Sequence, residues 1–308
     1  MDKLAPIVLF VYNRPEHTLR CLESLSENVL AKQSTLHIFC DGPKENASIS
    51  DLKKISEVEE VVKKKKWCGE VFIHSQLANL GLRNSVISGV SKIINDYGNV
   101  IVIEDDLVLS NHFLSYMNNG LNKYQSNSTV CQISGFSFPL DITELKEDAY
   151  FLPLTTTWGW ATWKHIWNEV NFDGTDYQKI LPDKKSIKAF NLENAYNYYS
   201  MLQKQMLSDK TISSWGIMFW LHAFKHNYVV LFPKYSLTTN TGFDGTGMHK
   251  TNDSSKKKDN FSLENNVNTY PESDLPNEKM FTQLKIKISR EENSIQKKVL
   301  RLYNRVFK

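Results

Sequence analysis

The chain has 308 residues, 41% of them apolar, and a formal charge of +3, which gives ample material for a full core and too mild a basic balance for a nucleic-acid-binding protein. Its four cysteines, Cys21, Cys40, Cys68 and Cys131, form no CxxC pair and have no histidine-rich companion, so reduced thiols in a cytosolic protein are expected rather than disulfides or zinc. No apolar run approaches the roughly twenty residues of a spanning helix, and the run before Asn13 is too short for a signal peptide.

In chain order, PIVLFVY (6–12) reads as a strand, and Pro15 suits the first turn of a helix with Leu19, Leu22 and Leu25 along one side. LHIFC (36–40) is a second strand, closed by the turn signal Asp41-Gly42-Pro43. A helix with Leu52, Ile55, Val58 and Val62 in register follows, and Lys63 to Lys66 at its end complement the helix dipole. EVFIH (70–74) is a third strand, and Val86, Val90 and Ile93 mark a third helix. VIVIE (100–104) is the fourth strand. Alternating strands and helices predict a parallel sheet covered on both faces, which explains strands that are apolar throughout. The second half is rich in aromatics, in TTTWGWATWKHIW (155–167) and SSWGIMFWLHAF (213–224), and reads as an irregular lobe packed onto that sheet. The expected division is an α/β part over 1–140, a lobe over 141–250, and a polar linker with a basic tail over 251–308.

Three polar clusters fall just beyond strand ends: Asn13-Arg14, Asp41-Gly42 and Glu104-Asp105-Asp106. In open α/β sheets that edge is where ligands bind. Three adjacent carboxylates at the end of a buried strand repel one another, and the cation that would relieve them is a hard divalent ion with positions left open for phosphate oxygens. Neither GxGxxG nor GxxxxGK[ST] is present to cradle phosphates with backbone amides, so charge neutralisation of a diphosphate would fall to the metal. The alternative is that Asp106 caps the next segment while Glu104 and Asp105 are solvated.

The order VYNRP, CDG, EDDLVLSNHFLSYM, TTWGWATWKHIW and FPKYSLTTNTGFDGTG resembles the GT-A glycosyltransferases over about residues 6–250, and within them the group related to N-acetylglucosaminyltransferase I and bacterial capsule and lipopolysaccharide sugar transferases. The resemblance implies a GT-A fold, a Rossmann-like, mostly parallel sheet flanked by helices, with an aromatic-rich acceptor lobe and a basic C-terminal helix. It implies transfer of a sugar, N-acetylglucosamine or another hexose or hexosamine, from a UDP-sugar to a glycan or lipid-linked oligosaccharide, with inversion. In that picture Asp106 ligates Mn²⁺ or Mg²⁺, Glu104 and Asp105 contact ribose and sugar, Asp41 bonds the uracil, and Asn13, Arg14 and Arg83 lie at the nucleotide. Trp160 of the Gly-Trp pair is placed either at the donor or in the core. GFDGTGMH (242–249) is either a loop closing over the donor or an ordinary surface loop, and its His249 either completes the metal shell or is solvated. The family's catalytic base is an acid just before a Trp, where this chain has Ser213-Ser214-Trp215, a poor base at neutral pH. Asp209 and Asp244 are the substitutes.

The tail places Ile295, Val299, Leu302 and Val306 at helical spacing, and from Lys285 to Lys308 it carries eight Lys/Arg against two acids. Such a helix either lies peripherally on the cytoplasmic face of a membrane or docks on protein. Two other functions fit an acid-lined sheet edge: a nucleotidyltransferase, which would be expected to carry a glycine- and lysine-rich phosphate loop near the first strand, and a catalytically silent nucleotide-sugar-binding protein.

Overall fold

The computed structural model describes residues 3–207, 214–244 and 260–306. The alternating first half folds as its pattern predicts. Strands β1 (Ile7–Val11), β2 (Thr35–Cys40), β3 (Glu70–Ser75) and β4 (Asn99–Glu104) pair in parallel in the order β3-β2-β1-β4. Helices α1 (Pro15–Ser26), α2 (Ile49–Lys63) and α3 (Gly81–Tyr97) connect them. Strands β1 and β4 are buried on both faces, so they read as continuous apolar runs rather than alternating ones. Pro15 stands at the start of α1, Ser48 caps α2 by accepting from the Asp51 N–H at 3.1 Å, and Gly98 ends α3 in the left-handed conformation.

After β5 (Leu107–Leu109) and α4 (Phe113–Tyr124) the same sheet continues through β6 (Val130–Ser134), β7 (Ala149–Leu152), β8 (Trp160–Trp163) and β9 (Val229–Pro233). Its full order is β3-β2-β1-β4-β8-β6-β9-β7, with β8 and β7 running against the rest. The sequence pattern shows a lobe here because β8 is buried on both faces and built from large aromatics, which hides a strand's two-residue period. Four of the eight strands therefore come from beyond residue 129, and one sheet spans the expected boundary at 140. Helices α5 (Lys164–Trp167), α6 (Tyr177–Ile180), α7 (Lys184–Phe190), α8 (Tyr198–Leu207) and α9 (Trp215–Lys225) accompany the added strands. The core there is aromatic: the Trp160 ring lies 5.0 Å from Trp215 and 5.6 Å from both Trp167 and Phe219.

A short strand β10 (Thr238–Asn240) pairs antiparallel with β5. The last helix, α10 (Glu278–Val306), buries Met280 and Leu284, so its first turns dock on the protein's own core. All four cysteines are free and buried. Among the described residues, no helix is long and apolar enough to cross a membrane.

Candidate active site

The site is assembled by strand pairing. Phe10 of β1 lies opposite Glu104 of β4, so the three acids emerge beside the Tyr12–Arg14 corner at the C-terminal edge of the sheet. The chain then turns sharply into β5, whose Leu107 lies opposite Asn240 of β10. That register returns Asn240, Thr241 and Gly242 to the acids. The Thr241 N–H and hydroxyl donate to the Asp106 main-chain carbonyl at 2.8 and 3.0 Å, and the Asn240 amide donates to Asp106 Oδ1 at 3.3 Å. Gly242 leaves room for these side chains. A Cβ there would collide with Asp106 Oδ2 and lie 3.0 Å from Arg14 Nη2 and 3.1 Å from Asn240 Oδ1.

Arg14 is the cation of this edge. Its Nη1 lies 3.1 Å from Asp106 Oδ2 and 3.7 Å from Asp105 Oδ1, and its Nη2 lies 3.9 Å from Asp244 Oδ1. His17, one turn further along α1, brings Nε2 to 3.1 Å from Asp244 Oδ2. Burial, then the Arg14 and Arg20 charges, push the His17 imidazole below its ordinary value and favour its neutral form. The carboxyls shift the other way. Burial and then Asp106 push Asp105 up to about 7, against the pull of Arg14 and a hydrogen bond from the Tyr12 backbone. Glu104 is also raised, by burial first and then by Asp106 and Asp105. Asp105 is only 12% and Asp106 only 18% exposed, and among the described residues one guanidinium faces four carboxylates. Oxygen-only donors of this kind fit a hard cation such as Mg²⁺ or Mn²⁺.

The sequence-derived residues divide into two groups. Arg14, Glu104, Asp105, Asp106 and Asp244 are brought together, whereas Asn13, Asp41, Arg83 and Trp160 are held by partners of their own. The Asn13 amide donates to Asp51 Oδ1 at 3.3 Å. Asp41 caps α3, accepting from the backbone N–H of Leu80 (2.8 Å) and Gly81 (3.0 Å), from the Asn79 amide (2.9 Å) and from Gly42 N–H (3.0 Å). Gly42 makes this possible, because a Cβ there would stand 2.6 Å from backbone atoms of Gln76 and Ala78. Arg83 donates to the Phe172 carbonyl at 2.6 Å, tying α3 to the segment after α5. Of the two placements open to Trp160, the structure shows the core, where it is fully buried. Asp209 and His249 lie outside the described residues.

Sequence reasoning missed His17, Asn240 and Thr241 as partners of these acids. His17 carries a usable signal, since it follows Arg14 by three positions on one helix face. Trp158 is one of four tryptophans open in the sequence to stacking on a sugar or to the core, and Gly159, at φ +70°, separates it from Trp160. Trp158 instead packs edge-on against Phe243, at 5.6 Å, beside Asp244.

No family model matches this chain, and no curated protein matches it. Among solved structures, residues 1–349 of S. aureus TarS are similar at 11% identity and a TM-score of 0.47, over 78% of this chain and 61% of that one. A UDP-glucose pyrophosphorylase complexed with UDP-glucose is similar at 10% identity and a TM-score of 0.34, over 54% of this chain and 78% of that one. What the structure itself defines is an α/β protein with a mostly parallel sheet flanked by helices and a carboxylate-lined edge.

Proposed function

We propose that this chain is a divalent-metal-dependent glycosyltransferase that moves a sugar from a UDP-sugar to a glycan or lipid-linked oligosaccharide. The observation that carries the reading is the gathering of Glu104, Asp105, Asp106 and Asp244 around one guanidinium at the C-terminal sheet edge. In this reading Asp106 holds the Mn²⁺ or Mg²⁺, while Glu104 and Asp105 face the ribose and sugar. When bound, the cation supplies Lewis-acid compensation for the charge that develops on the departing diphosphate. The chain's own residues do the rest. Thr241 and Asn240 fix the Asp106 backbone and carboxylate, so the ligand is pre-oriented rather than recruited. Arg14 adds a positive charge beside the diphosphate. Asp244, 40% exposed, is the base that accepts the acceptor hydroxyl's proton, with His17 Nε2 3.1 Å from its Oδ2.

A thermal-shift screen of nucleotide sugars with and without Mn²⁺, followed by an assay of UDP release, tests this directly. One UDP-sugar should raise the midpoint in a metal-dependent way, and Asp106→Asn should abolish that dependence. An unchanged metal-dependent shift in Asp106→Asn would sink the assignment.

A further inference from the structure

A second cluster of ligating groups lies away from the acidic edge. His222 and His226 sit one turn apart at the C-terminal end of α9, with the His226 N–H bonded to the His222 carbonyl at 3.2 Å and the rings 4.6 Å between centroids. Glu169, in the turn after α5, completes a group whose ligand atoms all lie within 4.8 Å of one another. Strand pairing locates it: β8 runs antiparallel to β4, so its end at Trp163 lies beside Asn99, and α5 and Glu169 continue from there. His226 directly precedes β9, whose Val229 lies opposite Val130 at the start of β6. The cluster is therefore at the N-terminal edge of the sheet, and the carboxylates of the candidate active site are at the other.

We propose that Glu169, His222 and His226 form a binding site for a borderline divalent transition-metal ion, with Zn²⁺ the first probe. Two histidines at i and i+4 on a helix with one carboxylate from another element is a three-ligand set that leaves a fourth position for water. His222 points to a ligand independently of the spacing. It is only 5% exposed, and its buried Nε2 has no hydrogen-bond partner among the described residues. A buried nitrogen left unmatched is unfavourable, and coordination of a metal by the ring would offset that cost. His222 and Glu169 also line one cleft of ≈ 20 Å³, room for a single water-sized guest. Lys225 lines the same cleft, with its ammonium 3.4 Å from Asp176 Oδ2. Ligands on a tetrahedral shell stand roughly 3.4 Å apart at metal bonds of about 2.1 Å. The contraction from the present spacing falls to Glu169 and His226, which are exposed, and for His226 it means leaving its stack on Tyr228. Nitrogen-rich coordination also separates this site from the oxygen-only acidic edge, which favours Mg²⁺ or Mn²⁺.

The test uses the full chain stripped with EDTA and dialysed against Zn²⁺ in excess Mg²⁺, with bound zinc measured per chain. The variants are Glu169→Gln and His226→Asn, both at exposed positions, with Asp106→Asn as the control at the other edge. Wild type and Asp106→Asn should each bind one zinc per chain and rise in melting midpoint with it. Either ligand variant should weaken binding by about 100-fold or more, since even partners that merely orient a ligand are worth 10–100-fold. The proposal is overturned if wild type binds no zinc, if the double variant binds it equally well, or if Asp106→Asn loses it.

Discussion

The raised Asp105 carboxyl makes a quantitative prediction about stability in the absence of metal. Folding moves this group from 3.8 to about 7. Between those values the native chain holds a proton that the unfolded chain has released, so stability falls as pH rises. The penalty is absent below about pH 4 and complete above about pH 7. Taken at face value, at about 1.4 kcal/mol per pH unit, it amounts to about 4 kcal/mol. Water penetration and relaxation around a side chain that is still 12% exposed bring this to roughly 1–3 kcal/mol. Asp105→Asn keeps the shape and removes the charge, and it gives up only a 3.7 Å contact with Arg14. In EDTA the variant should therefore be more stable than wild type by ~1–3 kcal/mol at pH 8 and equal to it within ~0.5 kcal/mol at pH 4. Urea unfolding at pH 4, 6 and 8 measures the difference. Saturating Mn²⁺ should narrow the gap at pH 8, because the cation then relieves the wild-type repulsion. A variant less stable at pH 8, or one whose gain is the same at every pH, would refute the view that Asp105 is held in an electrostatically unfavourable place.

Three further outcomes follow from the geometry. Gly242→Ala places a methyl against the ends of the Asp106, Arg14 and Asn240 side chains, so these must turn aside; stability should change by less than about 1 kcal/mol in denaturant unfolding, with a loss of metal-dependent nucleotide binding by calorimetry. Gly42→Ala meets backbone rather than a flexible side chain, so about 3 kcal/mol or more is expected, together with faster hydrogen exchange in the first turn of α3 as the Asp41 cap is displaced. Asp244→Asn should lower kcat for transfer by about 10²–10⁴ with donor binding retained, whereas a drop in donor affinity at unchanged kcat would make Asp244 a binding group instead.

The parallel half of the fold was legible in the sequence because its strands are apolar runs bounded by strong punctuation, Pro15 opening α1 and Asp41-Gly42 closing β2. The acids were legible for the same reason, since a carboxylate cluster at the end of an apolar run has few structural explanations. What was not legible depends on pairings remote in sequence. Nothing local says that Asn240 will lie opposite Leu107, so the residues that fix Asp106 could not be read in advance. Asp41 shows the converse difficulty. A carboxylate just past a strand end is drawn to a ligand and to a helix N-terminus by the same physics, hydrogen bonding to unpaired donors, and here the orphan N–H groups of α3 have it.

Asp41 and the Glu104–Asp106 cluster sit beyond the same sheet edge yet differ in how their charge is met. Asp41 is met by four hydrogen-bond donors, which is how a fold disposes of a carboxylate it needs for structure. The cluster is met by a shared guanidinium, and the Asp105 and Glu104 carboxyls are raised as a result of burial and mutual repulsion. If stability alone shaped this edge, amides or hydroxyls at these positions would remove the repulsion, while Thr241 would still bond the Asp106 main-chain carbonyl. Under the proposed function, the partner that offsets this cost is the donor and its cation. In that proposal the divalent cation would relieve these acids, and the phosphate oxygens of the donor would accept from Arg14.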